Sequence, residues 1–234
     1  MKTLLLKTLN FHRFLTENLF YPLVLSSGLA VGFYIGRVIW SDERTFLFLL
    51  WNLFLAWLPY IFSLGALIIH EWKPRWWWAV ILPGALWLLF FPNAPYIVTD
   101  LMHLDKRWPI PIWYDIGLLV TFLLAGCFLA IASLRSMQRI VSDYVGQIMS
   151  WIFVMGTMGM TSFGIYMGRY LRWNSWDLFT SPYQLLRDIY HPIRHPFRNK
   201  ETIAFSIMFG AILFVFYLTF NWLRPLKEKR NHAP

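Results

Sequence analysis

Long apolar runs constrain this chain more than any other feature. Segments such as Thr45 to Ile69, Tyr144 to Gly168 and Thr202 to Leu223 carry no charged residue. About 20 apolar residues in a helix, rising ~1.5 Å each, cross the hydrocarbon core of a bilayer. Hydrocarbon offers no partner for backbone N–H and C=O groups, so each such run must be helical. No soluble core of this size hides the apolar surface implied by 58% hydrophobic residues, and 14% charge is well below the ~25% of an ordinary domain. Soluble enzymes, disordered chains and disulfide scaffolds are excluded, the last because Cys127 is alone.

Six spans are expected, at about 18–40, 45–69, 76–91, 112–134, 144–168 and 202–223. The third is short and has a broken continuation at 95–104. The expectation is therefore an all-α integral membrane protein, one domain over 1–234. The opening Met1–Arg13 reads as an amphipathic interfacial stretch, because no small-residue cleavage site follows it. Six crossings put both termini on one side. Eleven basic residues fall there and ten on the other side. Without the long loop after the fifth span the excess is clear, which predicts cytoplasmic termini in a cell inner membrane. The positive charge is spread over both sides, with no basic helix or zinc spacing, so no nucleic-acid partner is expected.

The run Phe90-Phe91-Pro92-Asn93-Ala94-Pro95-Tyr96-Ile97-Val98-Thr99-Asp100-Leu101-Met102-His103 breaks the third span. Two prolines remove helix donors and clash with the preceding turn. Asn93 is placed to cap a new helix, with Pro95 in its first turn. At ~100° per residue, Tyr96, Thr99, Asp100 and His103 then share one polar face. Ionisable groups beside an apolar bundle usually face its interior or a wet cavity. The same residues also suit a chain simply leaving the bilayer.

Asp115 opens the fourth span, where it complements the helix dipole. Arg169 and Arg172 close the fifth, three apart on one expected helix face, followed by Asn174 and Asp177. Two guanidinium groups suit a phosphate or carboxylate, and also suit a helix C-terminus. The topology puts all these groups at one end of the bundle. Asp100 and His103 are then the expected catalytic acid–base pair. Asn93, Tyr96, Thr99, Asp115, Arg169, Arg172, Asn174 and Asp177 are the expected binding residues for an anionic or lipid-linked ligand. Ser181-Pro182-Tyr183-Gln184 predicts a short interfacial helix near 182–190, ending before Pro192, as a lid. Small-residue stripes, Gly28/Gly32/Gly36 and Thr157/Thr161/Gly164/Gly168, predict close helix packing. His191 and His195 are separated by prolines, no zinc or nucleotide motif is present, and neither metal nor cofactor is expected. A proton-coupled transporter with Asp100 as carrier and a non-catalytic scaffold subunit remain open alternatives.

The segment Pro92 to Leu101 resembles an uncharacterised bacterial family of integral-membrane proteins. Trp113-Tyr114-Asp115 and the stretch from Gly168-Arg169 to Trp176-Asp177 are similar to its other recognisable segments. The resemblance implies a multi-pass bacterial membrane protein of about this length. It implies no reaction.

Overall fold

The computed structural model describes residues 2–105 and 108–223. The expected charges Lys106, Arg107, Arg224, Lys227, Lys229 and Arg230 lie outside them. All regular structure among the described residues is helical: α1 (Lys2–Glu17), α2 (Phe20–Ser41), α3 (Leu47–Trp72), α4 (Trp77–Phe90), α5 (Asn93–Tyr96), a 3₁₀ segment (Ile97–His103), α6 (Ile112–Val145), α7 (Gln147–Tyr170), α8 (Asp177–Thr180), α9 (Pro182–Arg194) and α10 (Lys200–Leu223). Six stretches are long and apolar enough to cross a membrane, and the third is the composite Trp77–His103. This is an all-α, multi-pass membrane protein.

Burial ranks the helices. In α6 the most apolar window is 61% buried, against 11% in α10, so α6 is the pillar and α10 the periphery. α2, α3, α5 and α7 all pack on α6, while α10 packs on α7. α6 runs eleven residues past the expected end at Leu134. Its last turns carry the extra polar groups by pairing them: Arg139 meets Glu71 at 3.1 Å, and Asp143 meets His70 at 2.8 Å. One turn deeper, the Tyr217 hydroxyl donates to the Gln138 amide oxygen. These pairs fasten α3, α6 and α10 at the end of the bundle opposite the broken span.

The run of α-helical hydrogen bonds is interrupted at Phe91 and Pro92, although both keep right-handed helical angles, and the carbonyls at the interruption find side-chain and backbone donors. The Ser175 hydroxyl donates to Leu89 O at 3.1 Å and the Asn93 amide donates to Phe90 O at 3.0 Å. The Ala94 N–H donates to Phe91 O at 3.2 Å. Asn93 therefore closes the helix behind it and does not cap the one ahead, which has no side-chain cap. Membrane helices tolerate breaks only when such partners exist.

Glycines let the broken segment fit. A Cβ on Gly126 of α6 would lie 2.5 Å from Ala94 O, and Cβ atoms on Gly164 and Gly168 of α7 would lie 3.3 Å from Pro92 and 3.2 Å from Tyr96. The stripe on the fifth span thus packs inward as expected, with Thr157 and Thr161 buried. The stripe on the first does so only at Gly36, against the Tyr114 hydroxyl, for nothing lies near the Cβ positions of Gly28 and Gly32.

One local expectation is corrected. The α9 helix continues through Pro192 to Arg194, since a proline biases the residue before it without barring helical angles. That continuation brings the rings of His191 and His195 to 5.4 Å. The apolar side of α9 is also split. Leu185 and Ile189 turn toward the bundle, while Tyr183, Leu186 and Tyr190 are exposed.

Candidate functional site

The segment after Pro95 is a 3₁₀ helix beyond Tyr96, not the expected α-helix. Its ~120° step keeps Asp100 and His103 on one side, but one full turn separates them by ~6 Å along the axis. Asp100 is 1% exposed, whereas His103 is at the surface with its ring 4.8 Å from that of Phe48. The expected acid–base pair is not assembled.

Asp100 instead anchors a network across three spans. Asn52 of α3 donates its amide to Asp100 Oδ2 at 2.8 Å. Arg169 of α7 approaches Oδ1 at 3.4 Å and donates a shorter bond, 2.8 Å, to the Thr99 carbonyl. Thr99 is buried, its hydroxyl turned back onto Tyr96 O at 2.7 Å. The Arg169 guanidinium also lies 5.9 Å from the Tyr96 ring centroid. Taking these charges out of water is costly, and the charge-assisted bonds offset that cost only while every partner is present.

Asp115 belongs to a second network. Arg37 of α2 grips it through two bonds, Nε to Oδ1 at 2.7 Å and Nη2 to Oδ2 at 3.3 Å, with both side chains 1% exposed. The same guanidinium sits 4.6 Å from the Phe46 ring centroid. The adjoining Tyr114 hydroxyl donates to Phe33 O at 2.9 Å. The pair joins α2 to α6 and shares no hydrogen-bond partner with the Asp100 network among the described residues.

The arginine clamp does not form, because α7 ends at Tyr170. Arg172 lies past the end, exposed, with a left-handed φ of 62°. The chain folds back there, and the Trp173 N–H reaches Met167 O at 3.2 Å. A side chain in this conformation costs about 1 kcal/mol, which glycine avoids. Arg172→Gly is therefore expected to raise stability by about that amount in a detergent melt. A fall of similar size would mean that the guanidinium holds something in place.

Asn174 and Asp177 form their own loop motif. The Asp177 carboxylate accepts the Asn174 backbone N–H at 2.7 Å and the Thr180 hydroxyl at 3.1 Å. The backbone bond from Asn174 leads in holding this carboxyl below its ordinary pKa, so it stays ionised at neutral pH. Nearby, Trp173 Nε1 donates to Asp188 at 3.0 Å and pins α9 over the end of α7.

Beneath α9 lies a cavity of about 790 Å³, walled by α3, the broken span, α7 and α10. Its lining is mostly apolar, including Trp51, Leu89, Phe163 and Met167. Asn52, Asn93, Tyr96 and Asn174 of the expected and newly found polar residues line it; Asp100, Asp115, Arg169 and Arg172 do not. Among the described residues, no group of three His, Cys, Asp or Glu side chains could hold a metal ion. Sequence reasoning missed Asn52 and the role of Arg37. The signal for both was present, as an amide and a guanidinium inside apolar spans.

The chain belongs to a family described as "Protein of unknown function (DUF1361)", whose model matches residues 51–216. That stretch contains Asn52, the broken span, Asp115, Arg169 and α10 as far as Phe216, and it excludes Arg37. No curated protein and no solved structure matches the chain.

Proposed function

We propose that this is an inner-membrane protein with cytoplasmic termini, whose cavity binds the apolar chain of an amphipathic, lipid-linked ligand. The observation that carries the reading is the cavity itself. Its volume of about 790 Å³ suits a small ligand, and sites of this kind are apolar with a few placed polar groups. It sits at the end of the bundle where the third span is broken, as in proteins that handle ligands at interrupted helices. α9 roofs it and presents Tyr183, Leu186 and Tyr190 outward, an arrangement suited to lying in a bilayer interface. The surplus of basic residues at the other end, with Lys73 and Arg75 between α3 and α4, Arg135 and Arg139 in the second half of α6 and Lys2, Lys7 and Arg13 ahead of α2, supports the orientation. Asp100 is closed off by Asn52 and Arg169, so this reading assigns the site binding and no chemical step.

The test is photolabelling in proteoliposomes with a diazirine-bearing acyl chain, followed by mapping of the labelled peptides. Labels are expected on residues that line the cavity. Gly159 also lines it, and nothing lies within 4 Å of its Cβ position. Gly159→Leu is therefore expected to fill space without a clash and to keep the fold, since leucine favours a helix over glycine. It should reduce cavity labelling about tenfold by taking up room the chain needs. Labels confined to the outer faces of α2 and α10, unchanged in Gly159→Leu, would sink the proposal.

A further inference from the structure

We infer that the polar end of the ligand is uncharged and donates hydrogen bonds, as a hydroxyl-bearing head group does. This rests on the cavity reading above and specifies its ligand. The orientation of two amides carries the argument. Asn52 must turn its nitrogen to the Asp100 carboxylate, and Asn93 must turn its nitrogen to the Phe90 carbonyl, because neither partner can donate. Asn93 spends its second N–H on Ser175 Oγ at 3.1 Å. Both Oδ1 atoms are left without a hydrogen-bond partner among the described residues, on side chains that line the cavity. Ser206 of α10 lines it too, and its hydroxyl is buried without a partner among the described residues. With the Tyr96 hydroxyl, which also lines the cavity and makes no hydrogen bond seen among the described residues, the waiting polar atoms are two amide acceptors and two hydroxyls.

Charge is the second half of the argument. Among the described residues, no Lys, Arg, Asp or Glu lines the cavity. Arg169, next in the chain to the lining residue Gly168, is occupied by Asp100 and the Thr99 carbonyl, and Arg172, next to Trp173, is exposed and outside the lining. An anionic head placed here would lie in an apolar, membrane-embedded site without a counter-charge, which is strongly unfavourable. A cationic head meets the same objection. A head with no donor at all would seal the two amide oxygens away from water unpaired. Only a neutral donor answers both conditions.

The experiment is competition against a photoactivatable monoacylglycerol by three probes with one oleoyl chain. Monooleoylglycerol is neutral with hydroxyl donors, methyl oleate is neutral without donors, and oleate is anionic. Monooleoylglycerol is expected to compete at a concentration at least about tenfold lower than either of the others, the worth of one to two hydrogen bonds. Ser206→Ala removes one of the unpartnered hydroxyls without loss of any bond seen here. It should narrow the gap between monooleoylglycerol and methyl oleate about fivefold, with an unchanged melting temperature. Equal or better competition by oleate, or parity of methyl oleate with monooleoylglycerol, overturns this inference while cavity labelling keeps the binding reading. Absence of any cavity labelling removes both.

Discussion

Arg37→Met is expected to remove about 3–5 kcal/mol of stability, because it strands the Asp115 carboxylate in the interior. Both side chains of the pair are 1% exposed, and among the described residues Arg37 alone donates to the Asp115 carboxylate. Replacing both members is a different experiment. In Arg37→Met/Asp115→Leu no charge is left behind, and apolar side chains of similar volume occupy the interface of α2 with α6. That double variant should recover most of the loss, since a buried ion pair is seldom worth more than the apolar contact that can replace it. Cys127 supplies the probe. It is the single cysteine and is buried, so its labelling by a maleimide along a thermal ramp reports unfolding. A single variant that melts within about 2 °C of the parent, where about 1 kcal/mol moves a chain of this size by ~2–4 °C, would show that Asp115 is not held by Arg37 alone.

The contrast between the two networks shows what a sequence of this kind makes legible. Apolar runs and proline pairs act locally, so the six spans and the interruption at Pro92 could be read from residues near each other in the chain. Pairing acts across the bundle. Arg37 and Asp115 are 78 positions apart, and Asn52 and Asp100 are 48 apart. Which acid takes which base depends on helix rotation and depth, and no local pattern carries that information. The choice of Arg169 or Arg172 for Asp100 turned on where α7 stops. One more helical turn would have put both guanidinium groups on a shared face. The separation of His103 from Asp100 has the same character, for it follows from the tighter 3₁₀ winding. Span ends were misjudged where polar residues find partners, as in the last turns of α6, because an ion pair lets a helix continue beyond the apolar run that defines it. The cavity was invisible for a related reason. Its lining is drawn from seven helices, and its polar atoms belong to uncharged amide, hydroxyl and indole groups that no pattern of charges marks out.

Gly126→Ala tests the packing on which the cavity depends, and its expected cost is at the upper end of the 1–3 kcal/mol typical of overpacking, or about 3 kcal/mol. The added methyl would meet Ala94 O at 2.5 Å and Ile97 Cδ1 at 3.0 Å. Ile97 can adjust its side chain. The Ala94 oxygen belongs to the backbone of the broken segment and is fixed by neighbours on both sides: before it Asn93 is tied to Phe90 and Ser175, and after it Tyr96 abuts Gly168 of α7. Relief therefore requires α5 to lift from α6, which strains the bonds that satisfy the freed carbonyls. Gly117→Ala on the same helix is the control, since nothing lies within 4 Å of its Cβ position. There the substitution should be neutral or stabilising by up to about 1 kcal/mol, the helix-propensity difference between the two residues. Opposite signs at two glycines of one helix, nine positions apart, would locate the effect in the contact with the broken span. If Gly126→Ala were as mild as Gly117→Ala, the break would not be seated against α6 as closely as the geometry requires, and the wall of the cavity formed by Pro92, Asn93 and Tyr96 would lose its support.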